Sequence, residues 1–488
     1  MAEVEGRPGG TGSAPASASA GGPGFVRYLG VRSGVAVNMT QMCGIGPFIT
    51  IPLVVTAMGG PQAVVGWVAG AVLALADGLI WAELGAAMPG AGGTYIYLRE
   101  AFQYRTGRLM PFLFVWTAVL FIPLIMSTGV IGLVDYVGFL WPHMSYLDIH
   151  LLSIVVVVVV VIGLYRRIES VALITTVLWI IMLVTIVLVI AAGLSRFSVS
   201  LAFHYPAGAF SIKHGFFIGL GAALVLAIYD YLGYNTTAYM GDELRNPGRV
   251  MPRSIIYSIL AMMVLYLALN ISVVGAVPWH VVAKSSSVAS LVVQRSWGQP
   301  VADGITVLVV LTAFASVFTG LLGGSRVPVH AAEDGVFFRS FARLHPRYRF
   351  PTVSLLVLGA ITMIGSFFTL SEVINMLTAV IIIVQAVAQV VALTVLRRRQ
   401  PDLIRPYRQW LYPVPSLVAL AGWVYVYHSA GRTAIILSGI WLAAGMAAYL
   451  IWARVVRTWP FGPKLVREAY LEQQKQQLAA AGPPIQPE

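Results

Sequence analysis

The fold of this chain is decided by an interrupted apolar segment that contains, at residues 41–48, the sequence QMCGIGPF. Gly44 and Gly46 let the backbone leave helical geometry at little cost, while Pro47 lacks an N–H and clashes with the carbonyl four residues before it. These residues also suit close helix packing and an ordinary proline kink. If the helix is broken, its freed backbone groups are tolerated at membrane depth only where they line a cavity or bind a ligand.

The rest of the chain is almost continuously apolar. Of its 488 residues, 58% are hydrophobic and 10% are charged, and the mean hydropathy is +0.83, whereas a soluble domain carries charge on about a quarter of its residues. Apolar stretches of about twenty residues recur, each long enough to cross a hydrocarbon core as a helix. The composition predicts an all-α polytopic membrane protein.

Twelve transmembrane helices are predicted from the apolar runs and the turn signals between them. Their expected positions are near residues 35–57, 63–88, 107–138, 150–165, 171–195, 215–240, 253–277, 302–328, 353–370, 373–396, 411–429 and 432–453.

Positive charge is distributed unevenly over the predicted loops. With the N-terminus inside, 26 of the 31 Lys and Arg residues fall on inner segments, and the exceptions are Arg196, Lys213, Lys284, Arg295 and Arg432. This asymmetry predicts cytoplasmic N- and C-termini in a plasma or inner cell membrane. It also explains the net charge of +12 by topology, so no nucleic-acid partner is expected.

Four regions are predicted along the chain. Residues 1–27 are expected to be a disordered cytoplasmic arm, 28–400 a ten-helix core, 401–457 two accessory helices and 458–488 a cytoplasmic tail. The only cysteine, Cys43, lies inside the first span, so no disulfide-linked subunit is expected.

A second interruption is indicated in the sixth span by the sequence LAIYDYLGYNTT at residues 226–237. If the core consists of two inverted five-helix repeats, about 28–200 and 201–400, the first and sixth spans are equivalent, and paired interruptions mark a midplane substrate site. Half-helix N-termini offer N–H groups to a carboxylate, and half-helix C-termini offer carbonyls to an ammonium. Such a site suits an amino acid.

Several motifs, taken in order, resemble those of the amino acid/polyamine/organocation (APC) superfamily, which has the LeuT-type fold. They are GIG at 44–46, AEL at 82–84, MP at 88–89, GGTYIYLREAF at 92–102, GDELRNPGR at 241–249 with PR at 252–253, SR at 325–326, EDG at 333–335 and HP at 345–346. The resemblance covers about residues 28–399, and the last two spans carry no motif.

This resemblance implies alternating-access transport of amino acids or related amines, by an antiporter or a symporter embedded in membrane lipid. Backbone at Gly44–Gly46 would contact the substrate carboxylate, carbonyls of 228–231 would contact its amine, and Tyr229 would act as an aromatic gate. Asn235 stands where many members have an acid. The candidate substrate-binding residues are Gly44, Ile45, Gly46, Tyr229, Asp230, Tyr231, Gly233 and Asn235.

A proton or sodium ion could be coupled to transport. Some superfamily members carry a lysine in the fifth span, but residues 171–194 contain no ionisable residue, which excludes that arrangement. Ser316 and Thr319 in the eighth span are candidate ion ligands, although such hydroxyls more often bond to their own helix backbone.

Asp77, Glu83 and Asp230 are acids inside predicted spans, where ionisable groups are costly and suggest function. Glu83 is near the cytoplasmic end of its helix and is expected to pair with an arginine as a gate or loop anchor. Asp77 is either a hydrogen-bonded buried acid or a titrating, coupling group. Asp230 either attracts a cationic group of the substrate or bonds to a neighbouring Tyr or Thr.

Other classes of protein fit the sequence less well. A membrane-embedded enzyme is disfavoured because the chain lacks His-Glu-x-x-His, paired histidines at helical spacing and Gly-x-Ser-x-Gly, and neither metal nor cofactor is expected. A channel would show a selectivity filter or rings of charge. Within transporters the main alternative is a polyamine or organic-cation carrier, since Asp230 and the neighbouring tyrosines offer one acid and several rings.

Overall fold

The structure is a computed structural model that describes residues 29–90, 92–164, 168–211, 214–345 and 350–456. Within these ranges, the backbone alone is described at 168–179, 214 and 242. The predicted arm 1–27 and tail 458–488 lie outside the described residues, and the HP motif at 345–346 does so in part.

Helices account for nearly all regular structure in the described ranges; the only bridges there are the isolated pairs Leu29–Leu244 and Leu344–Pro351. The α-helices are α1 Val31–Met42, α2 Gly46–Met58, α3 Val64–Ala87, α4 Thr94–Thr106, α5 Leu109–Leu140, α6 Tyr146–Leu164, α7 Ile168–Ser195, α8 Val199–Phe203, α9 His214–Tyr231, α10 Pro247–Ala276, α11 Trp279–Val282, α12 Val288–Trp297, α13 Gln299–Gly324, α14 Arg326–Glu333, α15 Thr352–Gly365, α16 Leu370–Ile381, α17 Ala388–Arg399, α18 Val414–Ser429 and α19 Arg432–Val455. Short 3-10 helices occur at Pro61–Ala63, Thr236–Glu243 and Arg339–Ala342, and a π-helical turn at Ile382–Val387 joins α16 to α17.

Many of these helices can cross a membrane. Within the described ranges, eight helical stretches are long and apolar enough to do so, and the bent pair α1–α2 makes a ninth when counted as one span. Ile180–Ser195 and Thr352–Gly365 are shorter apolar helices. The all-α polytopic membrane fold is confirmed, while the number of twelve crossings stays a prediction.

The helix packing has the pairwise symmetry that two inverted repeats require. The contact of α1 with α10 has its counterpart in the contact of α3 with α9, and the contact of α5 with α16 corresponds to that of α7 with α13. The α3–α10 and α5–α13 pairs each join equivalent helices of the two halves. This arrangement brings α2 and α9, the helices next to the two predicted breaks, into contact.

The hydropathy pattern missed the helices that lie between predicted spans, of which α4 is the longest. The segment before the third predicted span forms α4, which is bounded by Gly93 at φ 48° and Gly107 at φ 54°, values that favour glycine. Its charged residues, among them Arg99 and Arg105, keep it below the hydropathy of a span. It packs against α5 and α17.

The last two helices pack on the outside of the core. α18 lies against α3 and α9, and α19 lies against α5 and α16. The accessory helices therefore contact helices that carry the candidate site.

Candidate functional site

The first interruption separates α1 from α2, whose axes differ by 55°. α1 ends when the Cys43 N–H donates to the Met39 carbonyl, and α2 starts at Gly46 with Pro47 in its first turn, where a missing N–H costs nothing. Gly46 and Pro47 therefore begin the second half-helix, and the break lies just before them. The N–H groups of Gly44, Ile45 and Gly46 donate no hydrogen bond within the described ranges.

The Ile45 side chain faces away from these free N–H groups toward α5. It is only 2% exposed, and a Cβ added at Gly132 would lie 2.9 Å from Ile45 Cδ1. Gly132 thus gives the isoleucine space to pack. Ile45 contributes its backbone to the candidate site, as the sequence predicts for this stretch.

The second interruption follows α9. Gly233 has φ 112°, and the chain resumes as the 3-10 helix Thr236–Glu243. A Cβ at Gly233 would lie 2.8 Å from the carbonyl carbon of Gln41 in the last turn of α1. The two breaks are therefore in direct contact, and any side chain at 233 would push them apart.

Tyr266 on α10 joins the two breaks. Its hydroxyl lies 2.6 Å from the Met42 carbonyl, at the end of α1, and 2.9 Å from the Asp230 carbonyl, at the end of α9. The side chain is 1% exposed. Because one hydroxyl has a single hydrogen, it cannot fully satisfy both carbonyls at once, and part of their hydrogen-bonding capacity stays free for a donor.

Replacing Tyr266 with phenylalanine should raise the substrate KM about tenfold. The variant loses the hydroxyl that bridges the carbonyls of the two breaks. A net hydrogen bond contributes about 0.5–1.5 kcal/mol, and about 1.4 kcal/mol corresponds to a tenfold change in the KM. Uptake kinetics in proteoliposomes would measure the effect. Tyr257→Phe is the matched control, since Tyr257 lies on the same helix and is 52% exposed; equal KM values for both variants would contradict the bridging role.

Asp230 lies against the start of α2. Its Oδ2 accepts a hydrogen bond from Thr50 Oγ1 at 2.5 Å, whereas its Oδ1 is buried and has no partner among the described residues. A Cβ added at Gly46 would overlap Oδ1. The carboxyl group thus bonds to a threonine, one of the two possibilities that the sequence leaves open, and its second oxygen remains available beside the α2 N-terminus.

The tyrosines on either side of Asp230 have different neighbours. The Tyr229 hydroxyl pairs with Thr128 Oγ1 on α5 at 2.5 Å. Tyr231 is fully buried, and its ring packs edge-on against Tyr266 with centroids 5.3 Å apart. Tyr229 therefore borders α5 next to Gly46. Tyr231 instead packs against Tyr266 on α10.

Asn235 begins the 3-10 helix after the second break. Its side chain is mostly buried and makes no hydrogen bond within the described ranges, while its carbonyl accepts from the Ala238 N–H at 2.9 Å. Another asparagine holds the adjoining turn, because Asn38 Oδ1 on α1 accepts from the Thr237 N–H at 2.9 Å. The segment after the break is thus anchored to α1, and the Asn235 amide is free to meet a ligand.

Comparison with known proteins identifies the family. Residues 29–457 match the family model for amino acid permeases. The chain belongs to the amino acid permease family.

Relatives extend over most of the chain. The Bacillus subtilis branched-chain amino acid permease BcaP is 26% identical over 90% of this chain and 95% of its own length. The B. subtilis serine/threonine exchanger SteT is 24% identical over 87% of this chain and 95% of its own, and the human cystine/glutamate transporter is 26% identical over 80% and 78%. These comparisons confirm the APC resemblance, the LeuT-type fold, and a transporter rather than an enzyme.

In this permease Asp77 is a junction between helices. Its Oδ2 accepts from Tyr234 at 2.5 Å and from Trp81 Nε1 at 3.0 Å, and its Oδ1 accepts from Trp423 Nε1 at 3.0 Å. Tyr234 belongs to the second break, Trp81 to α3 and Trp423 to accessory helix α18. The carboxyl group, 2% exposed, thus connects an accessory helix to the candidate site.

Glu83 anchors the loop that follows α17. It forms a two-point ion pair with Arg397, whose Nε lies 2.8 Å from Oε1, and it contacts Arg405 at 3.4 Å and the Gln409 N–H at 2.7 Å. Burial lowers the pKa of the Arg405 guanidinium, and Glu83 opposes that shift. Glu83 is thus paired with arginine, while its action as a gate or coupling group stays a prediction.

We expect Glu83→Gln to destabilise the permease by about 3–5 kcal/mol, because removing one partner of a buried ion pair leaves the other charge uncompensated. The apparent Tm in detergent should fall markedly. Glu333→Gln provides the control, since Glu333 faces His330 in an exposed pair that contributes little. A Tm loss no larger than that of the control would refute the anchor.

The candidate ion ligands of the eighth span bond to their own helix. Ser316 Oγ donates to the Thr312 carbonyl at 3.1 Å, and Thr319 Oγ1 donates to the Ala315 carbonyl at 2.9 Å. Ser316 also borders Gly44, since an added Cβ would lie 2.9 Å from its Oγ. Among the residues that the structure describes, no group of three His, Cys, Asp or Glu side chains could hold a metal.

Several important partners were not singled out from the sequence, among them Asn38, Thr50, Thr128 and Tyr266. Thr50, Thr128 and Tyr266 are polar residues inside apolar helices, and that position is a signal that could have drawn attention to them. Asn38 lies in the more polar helix α1 and gives no such signal.

Proposed function

We propose that this permease carries a zwitterionic amino acid by alternating access and holds it where α1–α2 and α9 are interrupted. The observation that carries the proposal is the set of free N–H groups at Gly44–Gly46, which lies at the N-terminus of α2 and in contact with the second break. Such N–H groups, with the positive end of the helix dipole, bind a carboxylate without a basic side chain.

The ammonium end has its own acceptors in this arrangement. The carbonyls of Met42 and Asp230 share one hydroxyl hydrogen from Tyr266, and Asp230 Oδ1 has no partner in the part of the chain that the structure describes. An ammonium group offers three donors. The free donors and the free acceptors are therefore of the two kinds that an amino acid requires, while a polyamine would leave the N–H groups unmatched.

The proposed orientation places both termini in the cytoplasm of a cell whose plasma or inner membrane holds the protein. The Lys and Arg distribution supports this orientation. The Glu83 anchor then lies at the cytoplasmic end of α3, next to the arginines of α17. Helices α1 and α9, which flank the breaks, are the elements that would rearrange between the two open states.

Radiotracer uptake into proteoliposomes tests the proposal. The panel contains branched-chain amino acids, serine, threonine, cystine and glutamate, which appear in the names of the relatives. It also contains the polyamines putrescine and spermidine. Each is assayed with and without sodium and an inward proton gradient, which assigns the coupling ion. We expect saturable uptake of at least one amino acid and no competition by polyamines; polyamine uptake without amino acid competition would overturn the proposal.

A further inference from the structure

Asp230 is a buried acid with no cation beside it. The residue is 2% exposed at the end of α9, and no ion pair within the described ranges includes it. The titratable groups that interact with it are a thiol and three phenols, namely Cys43 of α1, Tyr229 and Tyr231 of α9, and Tyr266 of α10. A thiol or a phenol carries no positive charge, so none of these groups can neutralise a carboxylate.

The other buried acid of this region has different surroundings. Both oxygens of Asp77 accept hydrogen bonds, from two indole N–H groups and the Tyr234 hydroxyl. Asp230 accepts one such bond, from Thr50 to Oδ2, and its Oδ1 has no partner among the described residues. Asp230 therefore keeps one oxygen, next to Gly46, for a proton or for a donor group of a ligand.

These surroundings decide which charge the empty site can hold. A carboxylate buried in a membrane protein without a counter-charge is strongly disfavoured, and the group takes up a proton instead. The free N–H groups of Gly44–Gly46 make no hydrogen bond to Asp230 Oδ1, so they do not replace a cation. Since Oδ2 accepts from Thr50, the proton of the neutral acid belongs on Oδ1. Oδ1 is also the oxygen that meets the substrate ammonium in the proposed function.

We propose that Asp230 binds either a proton or the substrate ammonium, and that the permease thereby exchanges one amino acid for one proton. When the ammonium binds, the Asp230 carboxyl group releases its proton to the water on the side to which the site is open. The ammonium keeps its own three hydrogens and forms an ion pair with the carboxylate. The coupling rests on the proposed function, since it needs a substrate ammonium at Asp230.

The direction of the coupling follows from the two forms that cross the membrane. The loaded protein changes state with Asp230 ionised and paired, and the empty protein changes state with Asp230 protonated. An empty protein with ionised Asp230 would carry an uncompensated buried charge through the transition, so the proton is required for the return. A zwitterion therefore moves one way and a proton moves the other way, which is electrogenic antiport.

Proton release on binding tests the exchange. Purified full-length protein in weakly buffered detergent solution receives each of the twenty ¹⁴C-labelled L-amino acids; the label reports bound ligand, and a pH indicator reports protons. For at least one amino acid we expect about one proton released per molecule bound at about pH 6. Because the proton competes for Asp230, the Kd should rise about tenfold for each unit by which the pH falls.

Two variants assign the proton to this residue. Asp230→Asn cannot release a proton, so release at saturating amino acid should be lost, while the Kd rises at least tenfold and no longer depends on pH. Thr50→Val removes the donor to Oδ2 and favours the neutral acid, so the pH above which proton release declines should rise. Asp303→Asn is the matched control, because Asp303 is an acid in an exposed contact with Gln299. Size-exclusion profiles show that each variant is folded.

Proteoliposomes measure the direction of coupling. With the membrane potential clamped at zero, an interior more acidic by one pH unit should accumulate the amino acid about tenfold, which is the ratio set by one exchanged proton. Accumulation driven by an acidic exterior would show symport and overturn the exchange.

The binding data separate the remaining outcomes. Amino acid binding with no proton release and a Kd independent of pH would overturn the antiport and leave the proposed function standing. Proton release that persists in Asp230→Asn, with a pH dependence that Thr50→Val does not move, would overturn the assignment to Asp230. No bound amino acid at any pH would overturn both proposals.

Discussion

Gly46→Ala should lower amino acid uptake by about 100-fold, since two lost hydrogen bonds to a charged group at about 1.5 kcal/mol each correspond to that factor. The added methyl group would overlap Asp230 Oδ1, and that carboxyl is held in place by Thr50. Either the carboxyl group or the first turn of α2 must move. In both cases the free N–H groups of Gly44–Gly46 would no longer converge on the carboxylate of the proposed substrate. Initial uptake rates in proteoliposomes would measure the change.

Two further variants show whether the overlap is the cause. Gly323→Ala on α13 is the control, because nothing lies within 4 Å of its added Cβ. Gly44→Ala should have a smaller effect than Gly46→Ala, because its Cβ meets only the rotatable Ser316 hydroxyl. Equal losses of uptake in Gly44→Ala and Gly46→Ala, or a comparable loss in Gly323→Ala, would disprove this explanation.

Asp77→Ala should be the most destabilising single change in the described core. It leaves the indole N–H groups of Trp81 and Trp423 and the hydroxyl of Tyr234 buried without an acceptor, at about 1–3 kcal/mol each. The variant also removes the connection between α18 and the second break. We expect a large fall in apparent Tm and loss of uptake in whatever folded fraction remains.

Asp77→Asn separates the hydrogen bonds from the volume of the side chain. An amide has one oxygen, and an indole N–H cannot accept from the amide NH₂, so either orientation of asparagine leaves one tryptophan without an acceptor. The loss should be smaller than for Asp77→Ala. Adding Trp423→Phe to Asp77→Asn should cost less than Trp423→Phe costs alone in wild type. Strictly additive Tm changes would show that Asp77 and Trp423 are not coupled.

These junctions suggest how the accessory helices serve the permease. α18 reaches the second break through Trp423 and Asp77, and the loop before α18 reaches α3 through Gln409 and Glu83. Both contacts are made to α3. The accessory segment therefore supports the helix against which α9 and α10 pack.

The sequence by itself determined the membrane class, the family and the positions of both interruptions. These follow from local chemistry: long apolar runs, the conformational freedom of Gly44, Gly46 and Gly233, and the lack of an N–H in Pro47. The order of the motifs also predicted the LeuT-type fold. The sequence also indicated that Glu83 pairs with an arginine, without identifying Arg397 or Arg405.

Only the tertiary structure decided the hydrogen-bond partners at the site. Thr50 and Asp230 are 180 residues apart, Met42 and Tyr266 are 224 apart, and Asp77 and Trp423 are 346 apart. A helix face shows periodicity in sequence, but a single hydroxyl or indole inside an apolar helix shows no partner. Buried polar groups need hydrogen-bond partners, and the packing of the helices decides which donor lies next to which acceptor. These pairs are therefore defined only once the helices have assembled.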